Sequence, residues 1–505
     1  MCKQISIGQS IFFFTLMIFL CEKASAYYEL NPRLQSAYLA AMNLDFDKAD
    51  QFLSKEKLEK PGNDLSAVYR INVYFLKTFI SEEESSFEVF KRQCSFTLNY
   101  LDKKDDNYLS PWHSYSKAEI MIQEAMVKVK FREYVSAALE IRKAYRLIEK
   151  NKIKFPDFIL NKKLAALLEV IIGSVPREYQ WLTEIAGMDG STAVGTQQLT
   201  DLLTLVKGNE FYCYRQEILF YLTTILTTFN SKDDELQNCL NELSPYNLQS
   251  PLMRYCSSSI LEKLGRNEEA ISLLKNPESY LTTYPFYFMY YKLAVCKMRK
   301  LDFSATKDFL TFVNNYKGKN YIKSSFQKLS WIELLNNNSV GAEFYNEKCK
   351  VKGDAFIDED KEALRGVASV QPINNILLKA RLLYDGGYYS KALSELSNKS
   401  IQDFPTYKDQ LEVTYRLARI YEETNELDRA IDLFQKTINN GSSTTFYFAA
   451  NSALQLGMFY ENKKDFLKAA DYYKKCLLIG PHEYQNSLDQ KAKAGIDRLK
   501  FKQEP

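Results

Sequence analysis

The feature that most constrains this chain is a pattern of large and small residues that occurs twice between Leu411 and Pro481. Counted from Leu411 and again from Ala450, small residues stand at positions 8 and 20, and large ones at positions 7, 11 and 24. The small residues are Ala418 and Ala430, then Gly457 and Ala469. Small side chains let two helices approach closely, and large ones fill the space between them. The pattern therefore predicts two consecutive helical hairpins.

Glycine and proline residues mark features of these hairpins. Gly457 would cost about 1 kcal/mol relative to alanine inside a helix, so we expect a close contact with another helix there. Gly441, in the linker after the first hairpin, is predicted to adopt a left-handed conformation at a helix end. Pro481 predicts a helix boundary, because proline lacks an N–H group and clashes with a continuing helix.

The pattern resembles the tetratricopeptide repeat, a helix–turn–helix unit of about 34 residues. Fainter copies begin near Leu30, Ala118, Pro251, Tyr287 and Ile373. The resemblance implies an all-α fold, a right-handed superhelical solenoid of helical hairpins.

Three segments are expected along the chain. Residues 1–26 form a signal peptide, 27–235 a degenerate repeat region and 236–505 a more regular solenoid. A lysine-rich helix from Leu488 to Phe501 is predicted to cap the solenoid with a solvent-facing surface.

The N-terminus has the composition of a signal peptide. Lys3 is followed by the apolar run Ile11–Leu20 and by an Ala-Ser-Ala triplet that ends at Ala26. We expect cleavage after Ala26, so that the mature chain begins at Tyr27 and is periplasmic or associated with the envelope. A retained membrane anchor, or a lipoprotein with Cys21 at its N-terminus, remains open. The composition, rich in Tyr, Phe, Asn and Lys, resembles that of secreted Bacteroidota proteins.

A cluster of glycines marks the middle of the chain. Gly173, Gly187, Gly190 and Gly195, with Pro176, resemble a central motif of the eukaryotic inclusion-body-clearance family of tetratricopeptide proteins. The spacing Gly187-x-x-Gly190 lacks the Gly-Lys-Ser/Thr ending of a phosphate-binding loop. We therefore predict a turn that lets two helices pack closely.

Few residues indicate catalytic chemistry. The only histidines, His113 and His482, are far apart and are interpreted as loop residues. The carboxylate runs 82–84 and 358–360 are interpreted as solvated surface. The cysteines outside the signal peptide show no CxxC spacing, so neither a disulfide framework nor a zinc site is indicated. We predict no catalytic residue, metal or cofactor. A glycosidase needs only two carboxylates, so that enzyme class stays open.

The remaining interpretation is a non-catalytic scaffold that binds a protein or peptide partner in its concave groove. In the repeat family the groove is lined by positions 2, 5, 9 and 12. The corresponding residues are Glu412, Tyr415, Arg419 and Glu422 in the first copy and Asn451, Leu454, Met458 and Glu461 in the second.

The sequence also bears on two other classes of partner, nucleic acids and glycans. The net charge of +3, without a basic cluster, argues against nucleic acid. A glycan-binding outer-membrane protein of the starch-utilisation type is the alternative, because such proteins are also secreted and built around tetratricopeptide units. Those proteins stack sugars on tryptophans, and this chain has Trp112, Trp181 and Trp331.

Overall fold

The computed structural model describes residues 28–104, 110–175, 188–229, 232–276, 284–369 and 372–501. Within these ranges the chain forms α-helices and short 3-10 helices, and they contain no strand. The predicted all-α class is confirmed, with helices in sequential hairpin contact as in a tetratricopeptide superhelix. The expected signal peptide, residues 1–26, lies outside the described residues, and the domain boundary at residue 235 stays a prediction.

The described helices are numbered here in chain order. The first half contains α1 Pro32–Met42, α2 Phe46–Glu59, α3 Leu65–Ser81, α4 Glu84–Lys103, α5 Pro111–Lys130, α6 Tyr134–Lys154, α7 Leu160–Gly173, α8 Thr192–Leu205, α9 Arg215–Thr228, α10 Asp233–Leu243, α11 Pro251–Lys263 and α12 Asn267–Leu274. The second half contains α13 Phe288–Arg299, α14 Ala305–Asn315, α15 Ile322–Leu335, α16 Ser339–Val351, α17 Asp358–Ala368, α18 Asn375–Asp385, α19 Tyr389–Leu396, α20 Tyr407–Glu423, α21 Leu427–Gly441, α22 Phe448–Asn462, α23 Phe466–Leu478 and α24 Gln485–Phe501. None of these helices combines the length and apolar character needed to cross a bilayer.

The hairpins are closed by turns of a recurrent geometry. Each of the pairs α1–α2, α5–α6, α11–α12, α13–α14, α15–α16, α18–α19, α20–α21 and α22–α23 has one turn residue with a positive φ. These residues are Leu44, Arg132, Gly265, Leu301, Asn337, Gly387, Asn425 and Lys464. The turn therefore recurs in the N-terminal half, where the repeat pattern in the sequence is faint.

Two of these turns lie against each other. A Cβ atom added at Gly387 would lie 2.0 Å from the carbonyl oxygen of Gly265, so only glycine fits there. Next to the contact, the Asn267 amide donates to the Tyr388 hydroxyl at 3.0 Å and to the Cys296 carbonyl oxygen at 2.8 Å. The contact therefore holds the α18–α19 hairpin against the α11–α12 hairpin, next to α13.

The central glycines bring α7 and α8 together. A Cβ atom at Gly195 would lie 2.5 Å from the Ala166 carbonyl oxygen, and one at Gly190 would lie 2.6 Å from that of Glu169. A Cβ atom at Gly173 would lie 2.8 Å from the Gly190 carbonyl oxygen. The predicted close packing of two helices is therefore confirmed at these glycines. Gly187 and Pro176 lie outside the described residues.

The N-terminal core contains a buried charged triad of Lys163, Glu119 and Glu217. The Lys163 ammonium donates to Glu119 Oε1 and to Glu217 Oε2, both at 2.5 Å. The hydroxyls of Tyr115 and Tyr221 donate to the same two carboxylates at 3.2 and 2.9 Å. Burial raises the pKa of Glu119; Lys163 opposes the rise and the neighbouring Glu217 adds to it. Lys163 and the two hydroxyls thus hold both carboxylates in the core.

The C-terminal helix α24 returns to the middle of the chain. Asp497 Oδ2 accepts hydrogen bonds from the Ser191 hydroxyl at 2.8 Å and from the Ala193 N–H at 3.0 Å, at the N-terminus of α8. The Arg498 guanidinium donates to the Phe229 carbonyl oxygen at 3.1 Å. The predicted solvent-facing cap is therefore corrected: α24 contacts α8 and connects the two halves of the superhelix.

The expectations about glycine and proline had different outcomes. A Cβ atom at Gly457 would lie 2.6 Å from the Tyr473 ring, so the predicted close contact is confirmed. Pro481 follows the end of α23, as predicted. The left-handed conformation predicted for Gly441 is wrong, because Gly441 is the last residue of α21 and is not among the positive-φ residues. Its added Cβ would instead lie 3.2 Å from Ala449 Cβ.

Candidate functional site

The first helices of four hairpins, α11, α13, α15 and α18, line a cleft inside the superhelix. Helix α17 and Tyr484, just before α24, complete its walls. The cleft has a first chamber of about 320 Å³ and a second of about 640 Å³. Both chambers are lined by Gln327, Trp331, Glu362, Arg381 and Tyr484. These volumes fall within the range of ligand pockets, roughly 300–1,000 Å³.

One wall of the first chamber is an ion-pair network around Glu262. The Glu262 carboxylate lies 2.5 Å from the Lys292 ammonium and 2.7 Å from the Arg299 guanidinium. Burial acts to raise the pKa of Glu262, but the two cations outweigh it and hold that pKa below its usual value. These three charges therefore satisfy one another.

Another part of the lining of the first chamber is aromatic. The Tyr321 ring lies 4.7 Å from the Phe288 ring and 5.0 Å from the Tyr291 ring, measured between centroids. The Tyr291 hydroxyl is hydrogen-bonded to the Ser324 hydroxyl at 3.1 Å. Such rings offer apolar contact area at a low entropic cost of immobilisation.

Trp331 forms the wall shared by the two chambers. Its side chain is buried, and two cations lie against the ring: the Arg381 guanidinium at 5.3 Å and the Lys328 ammonium at 5.7 Å from the ring centroid. Burial and the nearby Arg381 lower the pKa of Lys328 to about 8, against the opposing effect of Glu359. Cations at these distances are attracted by the ring electrons.

The second chamber lies between α15, α17, α18 and α20. The segment from Thr445 to Phe448 forms its outer wall, with the rings of Phe446, Tyr447 and Phe448. The Arg416 guanidinium holds Tyr447 by a 3.0 Å hydrogen bond to its hydroxyl and pairs with Glu412 at 3.0 Å. This chamber therefore combines an aromatic wall with the Glu412–Arg416 ion pair.

The eight predicted groove residues lie in different surroundings. Tyr415, Leu454 and Glu461 are buried, whereas Glu412, Arg419, Glu422, Asn451 and Met458 are half-buried. Of the eight, Glu412 alone lines a chamber of the cleft, the second one. The structure does not bring this set together around one cavity, and the partner-binding role of these residues stays a prediction.

The buried members have partners within the fold. The Tyr415 ring packs 5.4 Å from that of Phe448. The Glu461 carboxylate accepts a hydrogen bond from the Tyr473 hydroxyl at 2.7 Å and pairs with Arg498 at 3.0 Å. Glu461 thus connects the last hairpin to α24.

The residues predicted from the sequence do not include Lys328 or Arg381, and they include Trp331 only as a tryptophan that could stack a sugar. These three residues lie on α15 and α18, in a region where the repeat spacing is degenerate. One signal was present: Lys328 and Trp331 are three residues apart on one helix, a spacing that places two side chains side by side.

Two carboxylates interpreted as solvated are buried. Asp360 accepts hydrogen bonds from the backbone N–H groups of Tyr321 at 2.6 Å and Ser324 at 2.8 Å, and so caps α15. Glu82 pairs with Lys130 and accepts a hydrogen bond from the Asn320 amide at 2.7 Å. The interpretation of both acidic runs as wholly solvated surface is therefore wrong. Burial raises the pKa of Asp360 to about 6, against the effect of its backbone donors.

The histidines and cysteines offer no additional site. His113 lies in α5, not in a loop as expected, and its Nδ1 is hydrogen-bonded to the Tyr28 hydroxyl at 2.9 Å. His482 lies in the loop before α24. The described cysteines are buried free thiols. Across the described ranges, no group of three or more His, Cys, Asp or Glu residues could hold a metal ion.

Comparison with known families identifies the repeat. Residues 413–442 and 450–482 each match a family model of the tetratricopeptide repeat. The chain contains tetratricopeptide repeats. Proteins with tetratricopeptide repeats typically bind protein partners and are typically non-catalytic, and no enzyme family was found. A search of curated proteins gave no match to this sequence.

Similar folds occur among solved structures. The hetero-tetramer of Cut9 and Hcn1 from the APC/C matches with 13% identity and a TM-score of 0.28, over 96% of this chain and 98% of that chain. A human IFIT1 dimer with PPP-AAAA matches with 12% identity and a TM-score of 0.35, over 89% of this chain and 95% of that chain. These TM-scores are too low to support a further comparison with either protein.

Proposed function

We propose that this tetratricopeptide-repeat protein is a non-catalytic scaffold of the bacterial cell envelope that holds an extended segment of a partner protein in its interior cleft. The observation that supports the proposal is the convergence of four first helices on two chambers with a shared wall. First helices of stacked hairpins form the concave binding surface of such solenoids. The partner segment would lie against Trp331 and the aromatic wall of the second chamber.

The composition of the cleft supports a protein ligand. Tyrosine, tryptophan, phenylalanine and arginine are enriched at the cores of protein interfaces. The cleft offers Trp331, Tyr484 and Phe446, with Arg381 beside them. Phe446 is half-buried, so its ring remains partly available.

The envelope location rests on the sequence of the N-terminus. Secretion and removal of residues 1–26 would leave Tyr27 as the first residue. Fractionation of the native cells, with mass spectrometry of the mature N-terminus, tests this part of the proposal. A mature chain that begins at Tyr27 in the periplasmic or envelope fraction is the expected result. A cytoplasmic chain that retains Met1 would contradict the envelope location.

The partner is tested by cross-linking in the native envelope and identification of the proteins recovered. We expect one stoichiometric partner with the wild-type protein and its loss with Phe446→Asp, which places a charge on the wall of the second chamber. Phe344→Asp is the matched control, because Phe344 is exposed on α16 and does not line either chamber. Equal recovery with both variants would place the interface elsewhere. No protein partner, together with retention on a polysaccharide column, would favour the starch-utilisation alternative.

A further inference from the structure

Several lysine ammonium groups inside the fold have a carboxylate or carbonyl partner at short range. The Lys163 ammonium lies 2.5 Å from two carboxylates, and that of Lys292 lies 2.5 Å from Glu262. Lys297 lies 2.6 Å from Asp308, and Lys323 donates to two backbone carbonyl oxygens at 2.9 and 3.0 Å. A buried charge without such partners is costly, because it loses its hydration without compensation.

Two cations of the first chamber depart from this pattern. The Lys328 ammonium donates to the Ser324 hydroxyl at 2.5 Å, and among the described residues it forms no ion pair with a carboxylate. The Arg381 guanidinium has its nearest carboxylate, Asp385, at 3.9 Å, beyond hydrogen-bond distance. Both cations lie over the Trp331 ring and face the same cavity.

The acidic residues of the chamber do not supply the missing partner. Glu262 is already shared between Lys292 and Arg299. Glu362 is already paired with the Arg365 guanidinium, at 2.6 Å. Glu359 and Asp385 complete the acidic lining, and neither lies within hydrogen-bond distance of Lys328 or Arg381. The first chamber therefore offers two cations to an incoming anion.

We propose that the first chamber binds an acidic side chain, Asp or Glu, of the partner segment between Lys328 and Arg381. This inference rests on the proposed function and specifies the partner: an extended segment in which an acidic residue is flanked by apolar ones. The flanking apolar residues lie in the second chamber, whose lining includes Ile373, Leu377 and Phe446. An ammonium and a guanidinium donating to one carboxylate form charge-assisted hydrogen bonds, which are stronger than neutral ones.

A peptide-display selection tests the inference on the full mature chain. Random nine-residue peptides are displayed between glycine–serine flanks, so that no peptide has a free C-terminus. We expect enriched peptides to carry Asp or Glu beside apolar residues. Changing that residue of a selected peptide to Gln or Asn should weaken binding at least tenfold, and this arm leaves the protein unaltered.

Protein variants locate the site. Lys328→Met should abolish the preference for acidic peptides, and Lys328→Arg, which keeps the charge, should retain it. Lys350→Met is the matched control, since Lys350 is exposed on α16 and pairs with Glu347. In a Trp112→Phe and Trp181→Phe background, Trp331 is the remaining tryptophan, and its fluorescence should change on peptide binding. Unchanged Trp331 emission with a bound peptide would overturn the location.

The outcomes separate the inference from the proposed function. Enrichment of peptides without acidic residues would overturn the acidic anchor and leave peptide binding in place. Enrichment only from a second library with free C-termini would overturn the side-chain assignment, because the terminal carboxylate would be the anchor. Failure to enrich any peptide from either library would contradict the proposed function itself.

Discussion

Two clusters of charge in this protein each contain a lysine, and the two lysines have opposite surroundings. In the N-terminal core, Lys163 is held at 2.5 Å by each of two carboxylates, and the tyrosines Tyr115 and Tyr221 complete the network. In the interior cleft, Lys328 and Arg381 lie beside a cavity without a carboxylate at hydrogen-bond distance. The Lys163 ammonium therefore has its carboxylate partners within the fold, whereas Lys328 and Arg381 have none at hydrogen-bond distance among the described residues.

The difference shows how burial alone can mislead. A perturbed titratable group in a protein interior is often taken as a sign of function, but structural ion pairs perturb pKa values as well. What distinguishes the two regions is whether the charge has its partner within the fold. Lys163 has two carboxylate partners within the fold, so its role is structural. Lys328 is hydrogen-bonded to the Ser324 hydroxyl and faces a cavity, so we expect its anionic partner to be a group of a bound ligand.

The largest expected effect is the loss of Lys163. Lys163→Met leaves two carboxylates in the core without their cation, and removing one partner of a buried ion pair costs about 3–5 kcal/mol. Urea unfolding should show a decrease of that size in the free energy of unfolding. The triple variant with Glu119→Gln and Glu217→Gln should recover part of the loss, because no uncompensated charge remains. A single variant as stable as the wild type would mean that the triad is not a structural element.

The next prediction concerns the turn after α18, the helix that carries Arg381. Gly387→Ala should destabilise the protein by about 3 kcal/mol, because the residue has a φ of +77° and its Cβ would lie 2.0 Å from the Gly265 carbonyl oxygen. Gly208→Ala is the matched control, with a φ of +86° and no atom within 4 Å of its added Cβ. It should lose only about 1–2 kcal/mol. Equal losses in thermal unfolding would show that the contact between the two turns contributes nothing.

A third prediction tests the connection between the two halves of the superhelix. Asp497→Ala removes the acceptor at the N-terminus of α8 and should cost about 0.5–2 kcal/mol, the usual range for a lost helix cap. Asp432→Ala is the control, since Asp432 is exposed on α21 and pairs with Lys436 at 2.7 Å. Such surface pairs contribute about 0–1 kcal/mol. Hydrogen exchange should also increase in α8 and α24 for Asp497→Ala; unchanged exchange would contradict the bridging role of α24.

The sequence allowed the last two repeat hairpins to be predicted better than the interior cleft. The pattern from Leu411 to Pro481 predicted hairpins because close helix packing requires small residues, such as Gly457, at fixed positions. The cleft depends on which residues of α15, α17 and α18 meet after folding, and these helices lack the repeat spacing. Nothing local distinguishes Asp360 from the exposed Glu359 beside it. The difference arises from N–H groups 36 and 39 residues away in the chain.

The local sequence also does not predict most of the hairpin turns. The residue with positive φ is glycine in two of the hairpins and Leu, Arg, Asn or Lys in the others. Since Leu44 and Lys464 carry no intrinsic preference for the left-handed region, their turns were predictable only from the hairpins that they close.

The smallest expected effect on stability concerns Lys328 in the cleft. Lys328→Met should change the free energy of unfolding near neutral pH by less than about 1 kcal/mol, in either direction, because it leaves no carboxylate without a partner. This contrasts with the loss expected for Lys163→Met. A loss for Lys328→Met as large as that for Lys163→Met would mean that the two regions do not differ.

The pH dependence of stability refines this contrast. Burial, with Arg381 and Arg299, lowers the pKa of Lys328 from 10.5 to about 8, and Glu359 and Asp360 oppose this shift. Between pH 8 and 10.5 the unfolded chain therefore holds more protons at this residue than the folded one, so stability should rise with pH through that window. Because water reaches the half-buried ammonium, we expect a rise of only about 1 kcal/mol. Other groups titrate in both proteins, so the measurement is the difference between wild type and Lys328→Met. A difference that stays flat from pH 7.5 to 10 would show that the cleft already neutralises Lys328 as the core neutralises Lys163.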